Sequence, residues 1–442
     1  MQRFYKLIVI ILLLSLLLTA CGESKTTGEI SFMVFGDPAE LAAYQTLVDA
    51  FAEKHPEIQV ELVHIPSQSD YRARLGADLA AGTPADVVLI NYRRYAQFAA
   101  AGALEPLAPY LAKSELTKEA DFYPQAIEPF VWNLRSSGSG QLMCIPQNLS
   151  SLVIYYNKDL FTQAGTTFPQ PGWTWDDFVQ TALALTKDTN GDGMTDQYGL
   201  GIEPTLIRLV PFLWQSGQEL VDGAAAAQGG ETSEGTAPTR LMLDTPEALR
   251  AVQFFVDLSL KHHVVPTAEE EAAEDSESRF INGRTAMFFN SRRGVPTYRE
   301  ITAFDWDVAR LPQDVTAASV LHSDAYCLPS ASRNKDAAWT FIEYANSVEG
   351  QTIVAQSGRT VPSLVQVAES TVFLDPAQRP ASSQVFLDAI PSLRALPVLP
   401  NWVDIEEIAD EEIERAFYGQ ATVFDAVLSA IRRTSIYFGA GE

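Results

Sequence analysis

Three short apolar runs separated by helix-length spacers dominate the N-terminal part of the chain. Ile30 to Phe35 (ISFMVF) has the composition of a buried strand. Gly36-Asp37-Pro38 breaks it, and an amphipathic pattern from about Ala39 to Lys54 predicts a helix that His55-Pro56 stops. Ile58 to Ile65 (IQVELVHI) alternates as a second strand. A helix from about Asp70 to Ala81 ends at Gly82, and Pro84-Ala85-Asp86 leads into a third strand, Val87 to Ile90. This β-α-β-α-β order, with helix-length spacers, argues for a parallel α/β sheet. Ligands of such sheets bind beyond the carboxyl ends of the strands. That rule singles out Phe35, Gly36 and Asp37 after the first strand, and Asn91, Tyr92 and Arg93 after the third.

A longer ordered motif runs from Cys144 to Phe178. Leu152 to Tyr156 (LVIYY) reads as a buried strand. Asn157-Lys158-Asp159 turns the chain into a short helix closed by Gly165, and Thr174 caps a helix begun by Trp175-Asp176-Asp177-Phe178. This stretch resembles the first lobe crossing of the extracellular solute-binding proteins of ABC importers, in the family that holds the maltose-type binding proteins. Similar wording recurs in AFAEKHPEIQVE, in LAAGTPADVV, in Phe280–Asn290 (FINGRTAMFFN), in Asp324–Pro329 (DAYCLP) and in Lys335–Ser347 (KDAAWTFIEYANS). Gly358 to Pro362 resembles the family's exposed turn.

The resemblance covers nearly all of the mature chain. It implies an α/β, two-lobed periplasmic-binding-protein fold of type II-like topology, each lobe a central sheet flanked by helices. Three hinge crossings are expected near Cys144–Gln147, Ala317–His322 and Asn346–Glu349. Lobe 1 would hold residues 29–144 and 320–346, and lobe 2 residues 145–319 and 347–442. The implied function is non-enzymatic: a monomer captures a mono- or oligosaccharide in the cleft and passes it to an ABC permease, with no cofactor required.

Arg3 and Lys6 precede an apolar run, Leu7 to Leu18, interrupted only by Ser15. The run is short for a membrane span and has the shape of a signal peptide, residues 1–20. Leu18-Thr19-Ala20-Cys21 resembles a bacterial lipobox, which implies cleavage before Cys21, lipidation of its thiol, and a membrane anchor facing the extracytoplasmic side. Residues 21–28 are small and polar, as a tether would be. The net charge of −25 argues against nucleic acid as a partner. The remaining cysteines, Cys144 and Cys327, are either buried thiols or a disulfide, and the family match puts both near lobe-crossing strands.

Several residue sets are candidate sites. Asp188, Asn190, Asp192 and Asp196 in DTNGDGMTD resemble the start of a calcium loop, but Gly199 stands where the closing carboxylate belongs; a structural Ca²⁺ site and an Asx-rich turn are both open. Sugar recognition needs flat rings and planar polar groups. Trp173, Trp214 and Trp402 lie in loops or at element starts and are stacking candidates, whereas Trp175 and Trp339 read as core. Asn148, Ser150 and Asp324 are natural hydroxyl partners. Where maltose-binding members place an acid and an aromatic ring, this chain has Arg93 or Arg94, and Asn290 followed by Arg292 and Arg293; Arg359 adds a basic position at the exposed turn. These arginines suggest, as an alternative, an acidic or phosphorylated sugar (uronate or glycerol-phosphate type), unless they pair with the chain's own carboxylates. A secreted glycoside hydrolase would need two opposed carboxylates; no HExxH, GxSxG or GxxxxGK[ST] occurs.

Overall fold

The computed structural model describes residues 28–133, 140–223 and 238–438. The signal run, Cys21 and the tether up to Thr27 lie outside the described residues. Nine strands build the two main sheets: β1 (Gly28–Phe35), β2 (Ile58–Ile65), β3 (Val87–Asn91), β4 (Cys144–Pro146), β5 (Val153–Asn157), β6 (Tyr198–Gly201), β7 (Thr285–Asn290), β8 (Trp306–Ala309) and β9 (Asp324–Cys327). The first sheet has the order β2-β1-β3-β9-β4. Its β1 and β2 pair in parallel from Gly28↔Ile58 to Phe35↔Ile65, and β3 joins β1 in parallel. Strand β9 runs antiparallel to both β3 and β4. The second sheet has the order β8-β5-β7-β6, with β5 antiparallel to both neighbours and β6 parallel to β7.

The principal helices are α1 (Pro38–Lys54), α2 (Gln68–Ala81), α3 (Tyr92–Ala100), α4 (Lys158–Ala164), α5 (Trp175–Leu185), α6 (Leu206–Gln215), α7 (Pro246–Leu260), α8 (Lys335–Ala345), α9 (Val348–Gln356), α10 (Trp402–Phe417) and α11 (Val423–Phe438). Their starts follow from capping chemistry. Asp37 accepts from the amides of Ala39 and Glu40 while Glu40 returns to the Asp37 amide, and Pro38 supplies a preset φ at the first helical position. Thr174 and Asp177 form a second such box at α5, and Thr245-Pro246 opens α7. Gly82 and Gly165 end α2 and α4 in the left-handed conformation that lacks a penalty only for glycine.

Each sheet buries apolar side chains under its helices. Phe32, Val34, Leu47 and Phe51 are fully buried between β1 and α1, and α8 covers the same sheet. Helix α9 packs on α1 and α8. In the second layer Phe212 lies against Trp175, Phe254, Phe255 and Phe289, tying α6 to α5, α7 and β7. Each such buried ring contributes roughly 1.5–3 kcal/mol of transfer free energy. The fold is thus the expected two-sheet α/β architecture. Helix α10 packs on α6, α7 and α11 and also touches α3, so it links the helix layers of both sheets.

Cys144 and Cys327 stand directly opposite each other on β4 and β9, both fully buried, and are joined as a disulfide across 183 residues of chain. Replacing both by alanine is expected to lower unfolding stability by about 2–5 kcal/mol, since a long loop loses its cross-link in the unfolded state. Urea unfolding monitored by circular dichroism checks this.

Candidate ligand-binding cleft

A cleft of about 560 Å³ opens between the two sheets, over the segments that connect them. Its floor is a set of extended strands held edge to edge. Ser150 and His322 exchange backbone hydrogen bonds of 2.7 and 2.9 Å, and the Leu149 amide donates to the Val361 carbonyl at 3.0 Å. Asn148 and Ser150, both buried, present their side chains here. The Asn148 Oδ1 accepts from the Asp324 amide and its Nδ2 donates to Gln147, so the amide is fixed before any ligand arrives.

One wall is formed at the carboxyl ends of β1 and β3. Phe35, Asp37 and Asn91 line it, as the parallel-sheet rule predicts. Asn91 caps α3 through its Oδ1 and donates from Nδ2 to Asp324 at 3.0 Å. Gly36 has φ of +133°, and a Cβ there would fall 1.5 Å from a carboxylate oxygen of Glu40; only glycine fits. Glu40 is 5% exposed and ion-pairs with Arg359, which also approaches Asp37 at 3.4 Å.

The opposite wall comes from the second sheet and α10. The start of α6 brings Glu203, Thr205 and Arg208. Arg208, 6% exposed, contacts Glu203 and Asn290 at 3.2 Å each, while its Nε is buried without a partner. Arg93 hydrogen-bonds one carboxylate oxygen of Glu406, and Arg94 faces the other at 3.3 Å without a hydrogen bond. Arg293 also lines the cleft and makes no ion pair among the described residues. His322 is pushed well below the usual imidazole range by burial and by Arg93, Arg208 and Arg293, so it is neutral at pH 7.

Other expected site residues lie elsewhere. Tyr92 is buried, its hydroxyl accepting from the Leu396 amide at 3.1 Å. Trp173 donates to the Arg310 carbonyl and packs edge-on against Phe178. Trp214 is buried beneath the Arg394 guanidinium, 4.8 Å from its ring centre. Trp402 is fully buried at the start of α10. Three tryptophans expected to stack on ligand are therefore packing residues, and among the described residues the cleft lining holds one aromatic ring, Phe35, besides the His322 imidazole. Arg292 faces away from the cleft: it is 1% exposed, stacked on Phe373 and Phe386, and lowered to about 9 by burial. The cleft receives its neighbour Arg293 instead. In the 188–196 loop the carboxylates cap local backbone: Asp188 accepts from Gly191 and Gly193, Asp192 from Met194, and Asp196 from Thr189 and Asn190. No group of three or more His, Cys, Asp or Glu among the described residues is arranged to hold a metal ion.

Glu40, Glu203, Arg208, Glu406 and Asp410 were not legible as site residues. Glu40 reads as half of a capping box, and Glu406 and Asp410 sit in an acidic helix where every carboxylate looks alike. Arg208 did carry a signal, being the lone charge in the apolar run LIRLVPFLWQ.

Asp410 accepts from the Leu206 amide at 2.6 Å. Burial raises its carboxyl to about 7, with Glu406 adding to the rise and Arg93 and Arg94 opposing it. Unfolded, it titrates near the ordinary value of about 3.9. Between those values the folded chain binds more protons, so this group makes stability rise as pH falls from about 7 toward 4, and fall as pH rises again. Its slope is at most about 1.4 kcal/mol per pH unit. Urea unfolding at a series of pH values should give a flatter profile for Asp410→Asn than for wild type in that window.

A family model of bacterial extracellular solute-binding proteins matches residues 36–352. A binding protein of Brucella abortus is 25% identical over 94% of this chain and 95% of its own. A mannitol-binding protein of Pseudomonas aeruginosa is 28% identical over 72% of this chain and 68% of its own. Among solved structures, an ABC substrate-binding protein from Listeria monocytogenes in complex with cycloalternan has a TM-score of 0.81 at 22% identity, covering 93% of this chain and 99% of that one. With sheets, cleft and sequence pattern in agreement over most of its length, the chain belongs to the family of bacterial extracellular solute-binding proteins.

Proposed function

We propose that this protein captures a small neutral carbohydrate or polyol and hands it, unmodified, to the permease of an ABC importer. The observation that carries the reading is charge matching inside the cleft. Arg359 faces Glu40 and Asp37, Arg93 and Arg94 share Glu406, and Arg208 faces Glu203. A hydroxyl both donates and accepts, so it suits a fixed guanidinium–carboxylate pair. An anionic ligand would have to compete with those carboxylates for the same donors. The acidic-sugar alternative relied on Arg93 or Arg94 and on Arg292 or Arg293; the first two are paired and Arg292 faces away, which leaves Arg293 as the one lining arginine without a carboxylate partner among the described residues. Kinship with a mannitol-binding protein supports the neutral reading, and kinship with sn-glycerol-3-phosphate-binding proteins supports the phosphorylated alternative.

The chain acts as a monomer on the extracytoplasmic face, held by a lipid on Cys21. It crosses between lobes within residues 147–152, 310–323 and 357–364, the third later than the expected Asn346–Glu349 because α9 packs on α1 and α8, and ligand contact with both walls favours the closed arrangement.

Three measurements test this. Calorimetry with hexitols and neutral sugars, against uronates and sugar phosphates, should find binding in the neutral set. Arg208→Ala should then weaken it about ten- to a hundredfold, the value of one charge-assisted hydrogen bond of roughly 1.5–3 kcal/mol. Tight uronate binding with no neutral binding would overturn the reading. A neutral ligand at about 100 times its Kd should add about 2.7 kcal/mol of stability. Cys21→Ser should move the protein from the membrane fraction to the soluble one; retention on the membrane would refute the anchor.

A further inference from the structure

A second chamber adjoins the cleft. It holds about 270 Å³ and lies between α2, β3 and α3 on one side and α10 on the other. Phe35, Gln68, Asn91, Arg93 and Arg94 line both spaces. Helix α10 runs past the two of them. Glu406 and Asp410, one turn apart, face the cleft, while Val403 and Glu407, on the neighbouring stripe, face the chamber. Between the two spaces stands the ion-pair cluster in which Arg93 hydrogen-bonds one oxygen of the buried Glu406 carboxylate and Arg94 faces the other at 3.3 Å. The arginines open α3 at the end of the first sheet's β3, and the carboxylate comes from a helix packed on α6 and α7 of the second layer. The partition is thus built from both sides.

We propose that the Arg93–Glu406–Arg94 cluster is the end wall of the binding cleft and sets the length of ligand this protein accepts. The inference rests on the carbohydrate reading above. A cleft of about 560 Å³ is an ordinary small-molecule site. The chamber beyond offers an apolar floor at Leu75, Leu89 and Phe98 with polar groups at Arg72 and Gln97. A flat apolar surface edged by donors is what a further sugar ring needs. The charged cluster keeps that space separate, and cutting it joins the two into one longer groove. Asp410, one turn from Glu406 on α10, remains in the cleft lining when Glu406 is removed.

The test is calorimetry on the mature chain with mannitol, glucose, and the α-1,4 and β-1,4 gluco-oligosaccharides of two to six units. Wild type is expected to bind short members and to lose affinity from about the trisaccharide onward. In Glu406→Ala the ratio of long- to short-ligand affinity should rise at least tenfold, and in Arg94→Ala it should rise in the same direction. An unchanged ratio in both variants, with native circular dichroism, overturns the proposal. So does a wild type that already binds long members as tightly as short ones. If Glu406→Ala does not fold, Arg94→Ala alone decides. A wild type that binds no member of the panel overturns the carbohydrate reading itself, and the length proposal with it.

Discussion

Strand β9 enters the first sheet between β3 and β4, antiparallel to both, and its ladders to those strands return the chain from the second sheet. β3 and β4 belong to segments far apart in sequence, so this one insertion brings three distant stretches into register. Residues 147–150, 322–324 and 361–363 then lie side by side because each must leave or approach that edge. Their backbone groups satisfy one another, as a connection covered by two lobes requires. Ser363 donates to the Pro146 carbonyl, and Gln351 donates to Ser363. The Cys144–Cys327 bond fastens the same edge covalently. The cleft floor is therefore a by-product of sheet topology.

On that floor the charges are arranged against the trend of the whole molecule. The chain carries −25 overall, yet its cleft joins the buried acids Glu40 and Glu406 to arginines. Buried ion pairs are weak contributors to stability, because desolvation offsets most of the Coulomb attraction. Their persistence here makes sense as fixed donor–acceptor geometry. Glu40 shows the coupling: it caps α1, forbids a side chain at Gly36 and orients Arg359, so one carboxylate sets the helix start, the turn and the cleft wall together.

The strands of the first sheet were legible because ISFMVF, IQVELVHI and VVLI are bounded by breakers, and the helix starts because Asp37, Thr174 and Thr245 cap them. The carboxyl-end rule found Phe35, Asp37 and Asn91, and the crossing motif found Asn148, Ser150 and Asp324. Facing direction was not legible. Residues 292–294 form a tight 3₁₀ turn, where successive side chains point roughly 120° apart. The two adjacent arginines there point to different sides, Arg293 to the cleft and Arg292 away from it, and sequence does not say which one faces the cleft. The tryptophans misled for a related reason: a ring at an element start packs inward or outward with the same local signature, and Trp173, Trp214 and Trp402 all pack inward.

The loss of those rings changes how the cleft must work. With Phe35 the one aromatic side chain in the lining besides the His322 imidazole, little affinity comes from stacking, and recognition falls to amides, hydroxyls and arginine–carboxylate pairs. Such a site is more selective than a stacking site. A ring face accepts any apolar surface of suitable shape, and a missing methylene costs only about 1–3 kcal/mol. A buried donor that meets no partner loses its full desolvation cost, and sites built this way reject analogues lacking the matching hydroxyl by orders of magnitude. Arg208, buried with an unpartnered Nε, already stands in that position. On the proposed reading, discrimination by hydroxyl pattern and limitation of ligand length share one ion-pair cluster: the Glu406 carboxylate that pairs with Arg93 and Arg94 also stands where a longer ligand would extend.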